Sequence, residues 1–160
     1  MSNRKTARKT AEAAVIAAAY AALTLISAPL CFGPLQLRLP EALCILPGFT
    51  FAAVPGLTLG CFLANLLCGA PLFDVIFGTA ATLIGAVGTW LLRKKRRLLW
   101  LPPVLSNTLI IPFVLRFAYG NTELLPFTMA AVGAGELVSA ALVGGLLRRA
   151  LEKHDTFITD

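Results

Sequence analysis

The sequence predicts an all-α fold, an integral membrane bundle of six transmembrane helices with both termini cytoplasmic. Three observations predict it. The 160 residues are 58% hydrophobic and only 14% charged, a balance unlike that of a water-soluble domain. Apolar segments approaching the length needed to cross a bilayer recur along the chain. Twelve of the fourteen Lys and Arg fall in three clusters, Arg4–Lys9, Arg93–Arg97 and Arg148–Lys153. Each cluster abuts an apolar segment, which is how cytoplasmic loops are marked. The net charge of +6 is therefore topogenic, and nucleic acid is not an expected partner.

The elements follow in order. Residues 1–9 form a basic cytoplasmic tail, 10–150 the transmembrane domain, and 151–160 a polar cytoplasmic tail. The first span runs from Thr10 to about Ala28, ended by Ala28-Pro29 and Gly33-Pro34. It is too long for a secretory signal core and is followed by further apolar segments, so it reads as a retained helix. Residues 29–39 are an external loop. Two short segments come next, Pro40–Val54 and Gly56 to about Gly69, turning at Val54-Pro55-Gly56. Each spans about 22 Å as a helix, less than the hydrocarbon thickness. They are either two tight crossings or a re-entrant pair.

Ala70-Pro71 opens the fourth segment, which closes near Trp90 ahead of the basic run Arg93–Arg97. Trp90 and Trp100 bracket that run as interfacial residues do. The fifth span covers about Leu98–Phe117, with bends expected at Pro102, Pro103 and Pro112. Residues 118–125 form a second external loop, and Pro126–Leu147 is the last span. With Arg4 and Arg93 on one side of the membrane, an even number of crossings must separate them.

Cys31, Cys44, Cys61 and Cys68 show no CxxC spacing, and the single His154 sits in the polar tail. They read as small buried hydrophobes, with no metal and no cofactor. No Walker motif occurs, so the chain lacks the usual parts for hydrolysing ATP. No nucleophile is paired with a base, and the chain does not read as an enzyme.

Ionisable groups inside apolar segments are costly and mark function by default. Glu136 is the sharpest, at the middle of the last span, with Gly133, Ser139 and Ala140 one turn away. Its structural alternative is a hydrogen bond from Asn107 or Ser106 on the fifth span, where Asn107 occupies a similar depth. Arg38 and Glu41 lie three residues apart at the start of the second segment, with Pro40 suited to a first helical turn. Asn65 and Asp74 belong toward the outer half of the bundle, although both residue types also cap helices. Phe49, Phe51, Phe73 and Phe77 offer stacking surface but more commonly serve packing. On the first span, Ala13, Ala17 and Ala21 recur every fourth residue, and so do Ala14, Ala18 and Ala22. That spacing makes a smooth face which another helix can approach closely.

The stretch LRLPEALCILPGFTFAAVPGLTLGCFLANLL, followed by FDVIFGTAATLIGA, resembles the QueT-type queuosine-precursor transporters, and the likeness runs from the alanine-rich first segment to Glu136. These are substrate-binding (S) components of energy-coupling factor (ECF) uptake systems. The resemblance implies a multi-pass protein of the prokaryotic plasma membrane that binds a 7-deazaguanine base from outside. It implies a coupling subunit and two ATPase subunits on other chains, with the alanine face of the first helix turned toward the coupling subunit. The adjacent N–H donors of such a base suit a carboxylate, and an aminomethyl cation suits a second acid. Glu136, Glu41 and Asp74 are the candidates, with Asn107, Asn65 and Arg38 around them. Two readings compete: an S component for another vitamin-like solute, and a structural membrane protein whose polar residues only join helices.

The basic clusters give a direct test of topology. With the native cysteines replaced, an impermeant thiol reagent added outside should label a cysteine placed in residues 118–125 and spare one placed at Lys95. Strong external labelling at position 95 contradicts the six-span arrangement.

Overall fold

The computed structural model describes residues 2–31 and 38–153. Every regular element among them is helical. Helix α1 (Ser2–Cys31) is followed by a 3-10 helix (Leu39–Gly48), α2 (Ala53–Leu67), α3 (Leu72–Leu91) and α4 (Leu101–Ala118). Helix α5 (Leu125–Glu136) then continues through a π-helical segment (Leu137–Val143) into α6 (Gly144–Lys153). Among the described residues, four helical stretches are long and apolar enough to cross a membrane: Asn3–Ser27, Leu72–Leu91, Arg96–Ala118 and Leu125–Lys153. The 3-10 helix and α2 are the two shorter apolar elements, as expected.

Several boundaries differ from expectation for identifiable reasons. Helix α1 takes in the basic segment and runs past Pro29 to Cys31. The break between the two short elements falls at residues 49–52, ahead of Pro55. Pro55 is the third residue of α2, where a backbone N–H has no intrahelical partner and its loss costs little. Pro102 and Pro103 likewise sit in the first turn of α4, so they start that helix where bends were expected. Pro112 alone remains inside it. The expected external loop at 29–39 falls largely outside the described residues, as do the tail from His154 onward and the side chain of Cys31.

The short second element is a 3-10 helix of ten residues. With three residues per turn, side chains at i and i+3 eclipse. Glu41, Cys44 and Pro47 thus share one stripe, Ala42, Ile45 and Gly48 a second, and all six are buried. This rod packs against α1, α2, α3, the π segment and α6, which makes it the inner element of the bundle.

Glycines set how closely the other rods approach. A Cβ on Gly56 would fall 2.8 Å from the Ala13 carbonyl oxygen, and one on Gly60 would fall 2.8 Å from that of Ala17. Helices α1 and α2 therefore run parallel with their backbones in contact, a small-xxx-small interface. Gly85 meets Pro103 and Ser106 of α4 in the same manner.

Ring and polar contacts fix the two ends. Arg96 stands over Phe49, with 5.0 Å to the ring centroid. Phe51 meets Trp90 edge-on, and Arg148 reaches the Arg96 carbonyl oxygen at 3.4 Å. These contacts, with the register of α1 on α2, gather all three basic clusters at one end of the bundle. At the opposite end the Tyr119 hydroxyl donates to Asp74 Oδ2 at 2.6 Å.

Exposure is inverted relative to a water-soluble protein. Val15, Ile26, Leu67, Leu72, Phe117 and Leu124 are exposed, whereas Glu41, Glu136, Asn107, Asn65 and Ser139 are buried. Apolar surface facing outward, with the costly polar side chains turned inside, is what a bilayer selects.

Gly60→Ala places a methyl group where the Ala17 carbonyl and Tyr20 Cβ already stand, each 2.8 Å away. Both neighbours are fixed to the α1 backbone, so the helices must separate. We expect a loss of about 1–3 kcal/mol, read as a lower thermal midpoint in detergent. Gly145→Ala, where nothing lies within 4 Å, is the matched control.

Candidate functional site

The inner stripe of the 3-10 helix carries Glu41, which is fully buried. Both of its oxygens are engaged. The Tyr20 hydroxyl of α1 donates to Oε1 at 2.7 Å, and the Cys44 thiol, one 3-10 turn away, donates to Oε2 at 3.0 Å. Arg38, the residue that precedes the helix, brings Nε to 3.9 Å from Oε1. This is no surface ion pair, because the Glu41 side chain has no exposure and that of Arg38 only 16%. A buried carboxylate held by neutral donors and one cation escapes most of the cost of an isolated charge.

Glu136 is the last residue of α5, and the π segment begins directly after it. Asn107 of α4 donates through Nδ2 to Glu136 Oε1 at 3.0 Å. The other carboxylate oxygen, Oε2, is buried without a hydrogen-bond partner, as are Asn107 Oδ1 and Ser139 Oγ. Thr108 Oγ1 is unpaired too, beside Gly133. Buried polar atoms are normally satisfied, so these acceptors and hydroxyls on α4, α5 and the π segment have hydrogen-bonding capacity that their own helices do not use. Glu136 also lies within electrostatic reach of both Glu41 and Arg38.

Asp74 and Asn65 meet at the end away from the basic clusters. Asn65 donates through Nδ2 to the Asp74 carbonyl oxygen at 3.4 Å and approaches Cys61 Sγ at 3.7 Å. Thr82 donates to the same sulfur at 3.3 Å. Burial and the Asp74 carboxylate push the Tyr119 phenol well up, so it stays a neutral donor. Asp74 thus ties α3 to the end of α4, and Asn65 ties α2 to α3. Neither touches Glu136 directly. Among the aromatic candidates, Phe73 and Phe77 pair with each other at 4.3 Å and are exposed, whereas Phe49 is buried under Arg96.

The two alanine series separate by face. Ala17 and Ala21 are buried, and Ala13 is half-buried against Gly56. Ala14, Ala18 and Ala22 are exposed.

A family model described as QueT transporter matches residues 10–153. The chain belongs to the QueT transporter family. Neither the curated proteins nor the solved structures hold a significant match to it. Family membership and the apolar helices make this QueT protein a membrane transporter. Its polar interior is then the place to seek a solute site. Sequence reasoning gave no hydrogen-bonding part to Tyr20, Cys44 and Cys61 of that interior, nor to the exposed Tyr119 at its end. Tyr20 had a legible signal, being the one hydroxyl-bearing aromatic in an alanine-rich helix. Cys44 follows Glu41 by three, a spacing that puts both on one face of any helix and in line on a 3-10 helix.

Proposed function

We propose that this QueT protein is the substrate-binding component of an ECF-type uptake transporter, and that it takes a 7-deazaguanine queuosine precursor from outside the cell. A coupling subunit and two ATPase subunits on other chains complete the machine in this reading. The observation that carries it is the Glu136 carboxylate. One oxygen is steadied by Asn107 at 3.0 Å, and the other is buried without a partner. A base edge with adjacent N–H donors supplies what that oxygen pair lacks. The unpaired Asn107 Oδ1 and the Ser139 hydroxyl offer further hydrogen bonds to the same flat ligand. Glu41 is saturated by Tyr20 and Cys44, so we give it the task of seating the 3-10 helix and shaping the field around Glu136. Arg38 and Asn65 support that field and frame from the sides, and Asp74 faces the entry end.

Glu136→Gln should weaken binding of the aminomethyl deazaguanine precursor at least tenfold, while the thermal midpoint in detergent holds. Gln turns one acceptor into a donor facing the ligand's own N–H groups, a loss on the order of 2–3 kcal/mol. Calorimetry on the purified protein measures it, and unchanged affinity would return Glu136 to a structural role. Glu41→Gln should show the opposite pattern, a lower midpoint with smaller loss of affinity per folded molecule.

Docking of the coupling subunit falls, in this proposal, to the exposed alanines Ala14, Ala18 and Ala22. Ala18→Trp should leave ligand affinity intact and reduce uptake to background in cells that carry all subunits. Ala17→Trp, whose side chain is covered by α2, should impair folding and binding together. Normal uptake with Ala18→Trp excludes this docking face.

A further inference from the structure

We propose that the basic end of the bundle holds a binding site for the phosphate group of an anionic phospholipid. A cavity of about 480 Å³ opens there between the 3-10 helix, the segment leading into α4, and the π segment with α6. Four arginines line it: Arg96, Arg97, Arg148 and Arg149. Among the described residues one carboxylate answers them, since Glu152 Oε1 stands 3.7 Å from both Arg96 and Arg148. Arg148 also reaches the Arg96 carbonyl oxygen at 3.4 Å, and Arg96 rests on the Phe49 ring. Those contacts order two guanidinium groups. Arg97 and Arg149 have no carboxylate partner among the described residues, which leaves a strong positive excess facing the cavity.

The remaining wall is apolar, with Ile45, Leu99, Trp100 and Leu146 below the arginines. Ala140, Ala141 and Gly145 give the space its width, and the π segment widens the helix that carries the first two. Guanidinium groups accept phosphate oxygens in pairs. A free anion would leave the apolar wall bare, whereas a lipid puts its phosphate on the arginines and its chains along the leucines. Membrane insertion under the positive-inside rule needs the charges but not a cavity with two of its arginines already ordered. This site is separate from the Glu136 surface, and its test does not depend on solute binding.

The test uses delipidated protein in detergent, with dioctanoyl phosphatidylglycerol, dioctanoyl phosphatidylcholine and inorganic phosphate as probes. Thermal midpoints and native mass spectrometry are the readouts. Phosphatidylglycerol should be retained one to one and raise the midpoint by several degrees, with phosphatidylcholine and phosphate well behind. Arg97→Gln/Arg149→Gln changes only exposed side chains and should weaken that binding about tenfold, as lost charge-assisted pairs imply. Gly145→Leu keeps every charge and fills the cavity, and it should weaken binding comparably. Equal effects of the two lipids, or undiminished phosphatidylglycerol binding in both variants, overturn the proposal. A midpoint shift with inorganic phosphate as large as with phosphatidylglycerol overturns the lipid assignment in favour of a free anion.

Discussion

Burying the Glu41 carboxylate is the constraint on which the rest of the bundle depends. An acid inside an apolar shell must find donors, and here they come from two places at once. Cys44 supplies one from the same rod, where a 3-10 turn stacks side chains three residues apart. Tyr20 supplies the other from α1, so satisfying the charge fixes the depth of α1 against the inner rod. With α1 placed, Gly56 and Gly60 set α2 beside it. Removing the acid would release the inner rod from the helix that positions it.

Small residues do the remaining work of assembly. A bilayer gives helices little hydrophobic reason to associate, so close backbone approach and interior hydrogen bonds must supply it. The glycines of α2 and α3 provide the approach. Thr82 to Cys61, Asn65 to Asp74 and Asn107 to Glu136 provide the bonds. The Glu136 interaction differs from the others in leaving one carboxylate oxygen without a partner.

The π segment links this interior to the basic end. It begins immediately after Glu136, closes with the Gly144 N–H donating to the Ser139 and Ala141 carbonyl oxygens, and hands over to α6. Wide turns of this kind recur at functional positions. Here the segment follows Glu136 directly, buries Ser139, and carries Ala140 and Ala141 at the edge of the arginine-lined cavity. One irregular stretch therefore borders both polar regions of the molecule.

The sequence by itself determined the class, the number of helical rods and the distribution of charge. Apolar length and clustered Lys and Arg act locally, so they are legible without neighbours. It also singled out Glu136, because an acid amid apolar residues needs no tertiary contact to be conspicuous. The partners of the buried acids were decided only by tertiary structure. Tyr20 and Glu41 lie twenty-one residues apart, Asn107 and Glu136 twenty-nine, and no local period connects them. The alanines make the same point. Spacing renders Ala17 and Ala18 equivalent, but Gly60 covers the first and leaves the second exposed. Which face of a uniform helix turns inward depends on what lies opposite, and that information sits on another helix.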